Sequence, residues 1–394
     1  MKPTTDDLRR WADADSVARP GRVEALRARM AEEGVDAYFG VRRENTRYLT
    51  GFELGEGEEK VAGNSGQFLI GRDEVVVLSD SRYMIAAERQ CAGARVERVY
   101  NDMYARWPKL LASLGSVKRV AVEGGFVPYS TWRRLADASP DVELVPAEGW
   151  VEDLRQTKEQ SELERVAAAC AVADGALERL LPKIRAGVTE VELALDLEWE
   201  MRTNGANALA FEVTCLSGPN AALPHGSPTS RELREGEVVL FDFGAQVCGY
   251  RSDMTRTLFV GEPTARDRDI YELVARAQQA AIDALSHAVA ADERPSGRAL
   301  DKVARDVIHA AGHGDHYGHG LGHGIGLATH ELPSLGMTAP DVPLPSPTVF
   351  SVEPGTYLGG VTGVRIEDLL HFDAADRKVE LLTLFPRGVT VVGD

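Results

Sequence analysis

Two strand–turn–strand stretches in the second half of the chain carry a carboxylate on each arm, and any fold has to place all four. In EVVLFDFGAQVCGYRSDMTRTLFVG, Val239, Phe241 and Phe243 alternate on one face and leave Asp242 on the other. A turn at Gln246 to Gly249, centred between Val247 and Cys248, sets Asp242 directly opposite Asp253. In VFSVEPGTYLGGVTGVRIEDLLHF, a turn centred on Gly360 sets Glu353 opposite Glu367. Opposed residues of an antiparallel pair hold their Cβ atoms about 4.5–5.5 Å apart, where like charges destabilise the sheet. Burying such ions costs several kcal/mol each unless something compensates, and a cation is the simplest compensation. Register carries this reading, because a slip of one residue sends a partner to the other face.

A cluster of imidazoles follows the first hairpin. Six of the nine histidines fall between residues 309 and 330, in VIHAAGHGDHYGHGLGHGIGLATHE. Glycines at 318, 320, 322, 324 and 326 disfavour a regular helix across His319 and His323 but allow backbone and substrate to approach closely. Imidazole with carboxylates suits manganese, iron, cobalt or zinc, and four carboxylates with one histidine suit two ions. A pair of such ions supplies a hydroxide at neutral pH and polarises a carbonyl, which points to hydrolysis. His309 and His313 read as the end of a helix, His316 as a loop residue, and His287 and His371 as structural.

The chain has 394 residues, more than one core usually organises, so two domains are expected. Short apolar runs at 37–41, 67–71, 74–80 and 118–125 alternate with amphipathic stretches, which reads as an α/β domain over residues 1–152. Val23, Leu26 and Met30 give a helix from Pro20 to Gly34. Residues 153–394 read as α+β: a long helix opened by a capping box at Thr157 and Gln160, a second opened at Thr189 and Glu192, and a helix pair over 264–290 and 297–311 among long strands. A formal charge of -17 argues against nucleic-acid or anionic-membrane partners. The absence of a spanning apolar run or secretory signal places the protein in the cytoplasm, where Cys91, Cys170, Cys215 and Cys248 stay reduced.

The segments FDFG, YRSDMTRT, GHGLGHGIGLATHELP, FSVEPGTY and GVRIED together resemble the pita-bread metallopeptidases, and within them the Xaa-Pro branch of aminopeptidase P and prolidase. The resemblance covers residues 155–394, while YLTGF and LSDSRY are similar to the creatinase-type N-terminal domain of the same branch. It implies that Asp242 chelates one metal, that Asp253 and Glu367 bridge both, and that His323 and Glu353 complete the second. It also implies that His225, His319 and His330 hold the substrate carbonyl and the leaving proline nitrogen, and that Glu353 takes a proton from water. Arg365 would orient Glu367, and Tyr357 would support the site from behind. The implied cofactor is two divalent ions, manganese foremost, with cobalt, zinc or iron as alternatives.

Prolidases of the familiar type carry an arginine where this chain has Ser334. That departure favours aminopeptidase P action on peptides with proline at position two, with Xaa-Pro dipeptidase activity as the alternative if Arg42, Arg43 or Arg47 substitutes. A metal-free creatinase-like hydrolase of a small amidine or amide, and a non-catalytic binding protein, are the remoter readings, and five intact ligands argue against both. The branch also implies a homodimer.

Overall fold

The computed structural model describes residues 2–54 and 64–393. It divides into two compact units, Arg9–Leu154 and Arg155–Asp394, the second including Met1–Leu8. The division expected at 152/153 falls inside the helix Trp150–Gln156.

In the Arg9–Leu154 unit the apolar runs form one six-stranded mixed sheet. Its order is Arg95–Arg98, Val75–Ser79, Gln67–Gly71, Ala37–Gly40, Arg119–Glu123 and Glu143–Ala147. The two inner pairings of Gln67–Gly71 are antiparallel and the others parallel. Successive side chains point to opposite faces. Val76 and Leu78 therefore join Phe39 and Trp107 in one cluster, while Val77 joins Phe52, Ala87 and Cys91 in another. The first helix runs from Thr5 to Glu32, straight through Pro20. A proline inside a helix typically costs about 3 kcal/mol. Burial of Trp11 offsets part of that, as does Arg22, which pairs with Asp15 at 3.2 Å and donates to the Tyr48 carbonyl at 3.2 Å. Pro20 looked like a start signal because these tertiary partners are remote in sequence.

The Arg155–Asp394 unit repeats one pattern that the sequence conceals: a helix pair followed by a mainly antiparallel sheet, in which only Val391–Val392 pairs in parallel. Helices Gln160–Leu180 and Glu190–Thr203 precede the sheet ordered Val391–Val392, Met254–Val260, Glu237–Phe243, Thr214–Ser217. Helices Ala265–Ala290 and Gly297–Ala310 precede the sheet ordered Glu331–Leu335, Gly322–Gly324, Thr348–Val352, Asp368–Asp373, Lys378–Leu381. Thr189 and Glu192 form their capping box. The first box sits two residues beyond its expected place, at Glu159 and Glu162, because Thr157 lies in the break after Trp150–Gln156.

The first carboxylate hairpin corrects the expected register. Asp242 pairs with Thr255, not Asp253, while Gln246 pairs with Arg251 and Val247 with Tyr250. The turn is thus centred between Cys248 and Gly249, whose φ angles are 46° and 80°. Two-residue hairpin turns of this hand need positive φ at both central positions, so Gly249 belongs at the second of them. Moving the centre by one residue shifts the partner by two, which preserves the face. In the second hairpin Val352 pairs with Asp368 and Gly355 with Arg365, so Glu353 and Glu367 lie opposite each other between them.

Candidate active site

Five separated stretches deliver the four acids and one imidazole to a single cleft of ≈830 Å³ in the Arg155–Asp394 unit. Asp242 comes from Glu237–Phe243, Asp253 directly precedes Met254–Val260, and His323 is the middle residue of Gly322–Gly324. Glu353 directly follows Thr348–Val352, and Glu367 lies between Thr362–Arg365 and Asp368–Asp373. A Cβ at Gly322 would stand 2.0 Å from the Ser351 carbonyl oxygen, so glycine is what lets the His323 strand lie so close.

One ligand atom each from Asp253, His323 and Glu367 lie within 4.8 Å of one another. His323 Nε2 is 3.3 Å from Glu353 Oε1 and 3.7 Å from Asp253 Oδ2. Its Nδ1 is 3.0 Å from the Gly324 carbonyl oxygen, which can only accept, so Nδ1 carries the proton and Nε2 presents its lone pair to the acids. Burial lowers the His323 pKa, which keeps the ring neutral.

Asp253, Glu353 and Glu367 resist ionisation together. Burial, then repulsion by Glu367, Asp242 and Glu353, raises Asp253 well above the usual carboxylate range. Burial, then Glu353 and Asp242, does the same to Glu367, and burial pushes Glu353 up to about 7 against the pull of Arg365. Arg365 donates to Asp242 Oδ2 at 2.5 Å, whereas Asp242 Oδ1 is buried with no hydrogen-bond partner among the described residues. Four carboxylates facing one guanidinium, with one acceptor oxygen left over, form a hard and borderline donor set that divalent cations fit.

Behind the acids runs a continuous hydrogen-bonded network. Thr255 Oγ1 donates to Glu367 Oε2 at 2.7 Å and accepts from Arg365 Nε at 2.9 Å. Arg365 also donates to Tyr357 Oη at 2.9 Å and to the Pro224 carbonyl at 3.2 Å. His319 Nδ1 stands 2.8 Å from the Gly320 carbonyl, so it bears the proton, and Nε2 accepts from Tyr357 Oη at 2.9 Å. Burial lowers the His319 pKa to about 4. Both its ring nitrogens are therefore engaged within the protein, and the residue also lines the cleft. His225 and His330 line the open side of the cleft, and the His330 ring lies 4.2 Å from that of His323.

Residues 164–374 match the model of metallopeptidase family M24, and residues 22–157 match the creatinase/prolidase N-terminal domain. The chain belongs to family M24. A Xaa-Pro dipeptidase of Pyrococcus furiosus is 32% identical over 349 residues, covering 88% of this chain and 93% of that protein. Among solved M24 structures, a Xaa-Pro dipeptidase from Bacillus anthracis superposes with a TM-score of 0.86 at 32% identity, covering 95% of this chain and 100% of that one. An X-Pro aminopeptidase from Thermotoga maritima gives 0.81 at 33% identity, covering 94% and 99%. The M24 assignment bears out the creatinase-type and pita-bread architecture and makes the chain a metallopeptidase.

Some residues that shape the M24 cleft escaped the sequence reading. Thr255 was missed because the misplaced turn gave its position to Asp253. Ser351 donates to Glu353 Oε1 at 3.0 Å and accepts from the His323 amide at 3.1 Å, and its two-residue spacing from Glu353 was the available signal. Glu331 accepts from the Ala328 amide at 2.8 Å and pairs with buried Arg155 at 2.9 Å, fixing the turn that presents His330. Ser334 lines the cleft. In the other unit Arg42 is paired with Glu44 and Glu152, and Arg47 with Glu53. His309, His313 and His316 do not line the cleft; His313 and His316 contact each other through Nδ1 atoms 3.1 Å apart. No disulfide joins Cys91, Cys170 or Cys215 among the described residues, and no helix among them is long and apolar enough to cross a membrane.

Proposed function

We propose that the chain cleaves Xaa-Pro bonds, with Xaa-Pro dipeptides as its first substrates. The observation that supports this best is the convergence of Asp242, Asp253, His323, Glu353 and Glu367 in one cleft edged by His225 and His330, in a chain of family M24. The order of the two Xaa-Pro readings is thereby reversed: aminopeptidase P came first from Ser334, but the relatives named above include dipeptidases of about one-third identity over nearly the whole chain.

Asp242, Asp253, Glu367, His323 and Glu353 would hold two divalent ions, manganese foremost, which when bound supply Lewis acidity and a nucleophilic hydroxide at neutral pH. The protein's own groups do the rest. Glu353 takes the proton of the attacking water and returns it to the leaving nitrogen. Arg365 holds Asp242 directly and Glu367 through Thr255, so the carboxylate oxygens keep their aim. Tyr357 and His319 brace Arg365 from behind. His225 and His330 donate to the scissile carbonyl and to the proline nitrogen as it leaves. The cytoplasm as its location and a homodimer as its assembly belong to the same proposal.

The test is cleavage of Xaa-Pro against Xaa-Pro-Xaa peptides after addition of Mn²⁺ or Co²⁺ to chelated protein. Faster turnover of dipeptides supports the proposal, and no cleavage of either peptide by metal-loaded protein refutes it. Preference for the longer peptides supports the second reading, aminopeptidase P, which Ser334 at the cleft wall favours.

A further inference from the structure

His225 raises a physical problem, because it sits on an exposed loop between Ala222 and Thr229 that has no strand or helix of its own. An imidazole that must meet a reacting atom needs its backbone fixed to within about 0.5 Å. The loop's two feet hold the solution. Before the loop come Ser217, the last residue of Thr214–Ser217, and Asn220 in the short turn Gly218–Ala222; after it comes Thr229. All three converge on one carboxylate, that of Glu190, which is 0% exposed.

Glu190 Oε1 accepts from the Ser217 amide at 2.7 Å, from Ser217 Oγ at 2.8 Å and from Asn220 Nδ2 at 3.1 Å. Its Oε2 accepts from the Thr229 amide at 3.0 Å, from Thr229 Oγ1 at 2.7 Å and from Asn220 Nδ2 at 3.2 Å. Oε1 thus binds the leading foot, while Oε2 binds the trailing foot and shares Asn220 with Oε1. The acid is itself rigid: it opens the helix Glu190–Thr203, whose capping box at Thr189 and Glu192 fixes the backbone, and its own amide donates to the Arg231 carbonyl at 3.1 Å. At mid-loop, the Pro224 carbonyl oxygen accepts at 3.2 Å from Arg365, the guanidinium that holds Asp242. A capping residue would need one of these contacts, not six, and a packing residue would need none.

We infer that Glu190 is a positioning residue: its carboxylate staples the two feet of the Ser217–Thr229 loop and so sets where His225 meets the substrate. The inference rests on the proposed role of His225. Glu190 does not line the cleft, so it acts through the loop.

The experiment is a double-mutant cycle on the Mn²⁺-loaded full chain with a Xaa-Pro dipeptide, using Glu190→Gln, His225→Ala and the pair. Glutamine keeps the shape but turns an N–H donor toward donors of one foot. We expect kcat/KM to fall roughly tenfold in each single variant, with no further loss in the pair, and manganese content to stay at the wild-type level. Amide hydrogen exchange over 218–229 should rise in Glu190→Gln and not in His225→Ala. Thr229→Val, on the exposed side of the staple, should repeat the loss in milder form and Thr229→Ser should restore activity. Multiplicative losses in the pair, or unchanged exchange over the loop, overturn the inference. Full activity in His225→Ala overturns the role of His225 instead, and is distinguished by the loop still loosening in Glu190→Gln.

Discussion

Glu353, Asp253 and Glu367 are carboxyls that the metal-free protein holds protonated more tightly than an unfolded chain does, since burial comes first among the causes for each. Between about pH 4 and the raised values, the native state binds more protons than the unfolded state, so stability falls as pH rises through that window. For Glu353, raised to about 7, the loss by pH 8 is on the order of 3 kcal/mol. Cations require the deprotonated acids, so they bind more tightly as pH rises. The thermal midpoint of chelated protein should therefore drop from pH 5 to pH 8, and Mn²⁺ should raise it more at pH 8 than at pH 5; equal increments would contradict the coupling. Arg365 is the second test at this scale. It is 3% exposed and reaches Asp242, Thr255 and Tyr357 at once. Arg365→Lys keeps the charge but loses the fork, and removal of such a supporting partner typically weakens metal binding about 10–100-fold, which a competition titration with a fluorescent chelator reads.

The hairpins show which part of an element its residues disclose. Alternation of Val239, Phe241 and Phe243 gave the correct face for Asp242, because successive side chains of a strand point to opposite faces, even though Val238 and Leu240 are buried on the Asp242 face as well. The partner of Asp242 was misread, because register depends on the turn, and the turn depends on which two residues take positive φ. The Glu353–Glu367 pair was legible because Gly360 stands midway between them, at φ 71°. Gly249→Ala tests the turn: a side chain in the left-handed region costs about 1–2 kcal/mol. Urea unfolding should show that loss with metal content unchanged, since the register is fixed by seven further pairs along the strands. The His323 strand behaves oppositely. Gly322→Ala puts a methyl onto the Ser351 carbonyl, and the expected outcome is loss of metal binding with the chain still folded by circular dichroism.

At the scale of the molecule, two domains were foreseeable from length and from the change of pattern near residue 150, and the motifs were specific enough to indicate the architecture. The repeated helix pair and mainly antiparallel sheet were hidden, because the two halves share geometry and not residues. Of the network behind the acids, Arg365 and Tyr357 were indicated by the family motifs, but the Thr255 hydroxyl that links Arg365 to Glu367 was hidden, because it comes within reach only after two sheets have been assembled. A formal charge of -17 is carried by a chain that gathers five of its acids in one cleft, so part of the repulsion is concentrated where cations would relieve it. Everything proposed for catalysis depends on that relief. The most direct measurement is elemental analysis of chelated protein re-equilibrated with Mn²⁺ and freed of excess by gel filtration, beside Asp253→Asn treated identically. Two manganese ions per chain in the wild type, and a clear loss in the variant, is the expected result; no stoichiometric manganese in the wild type, or the same amount in Asp253→Asn, would contradict it.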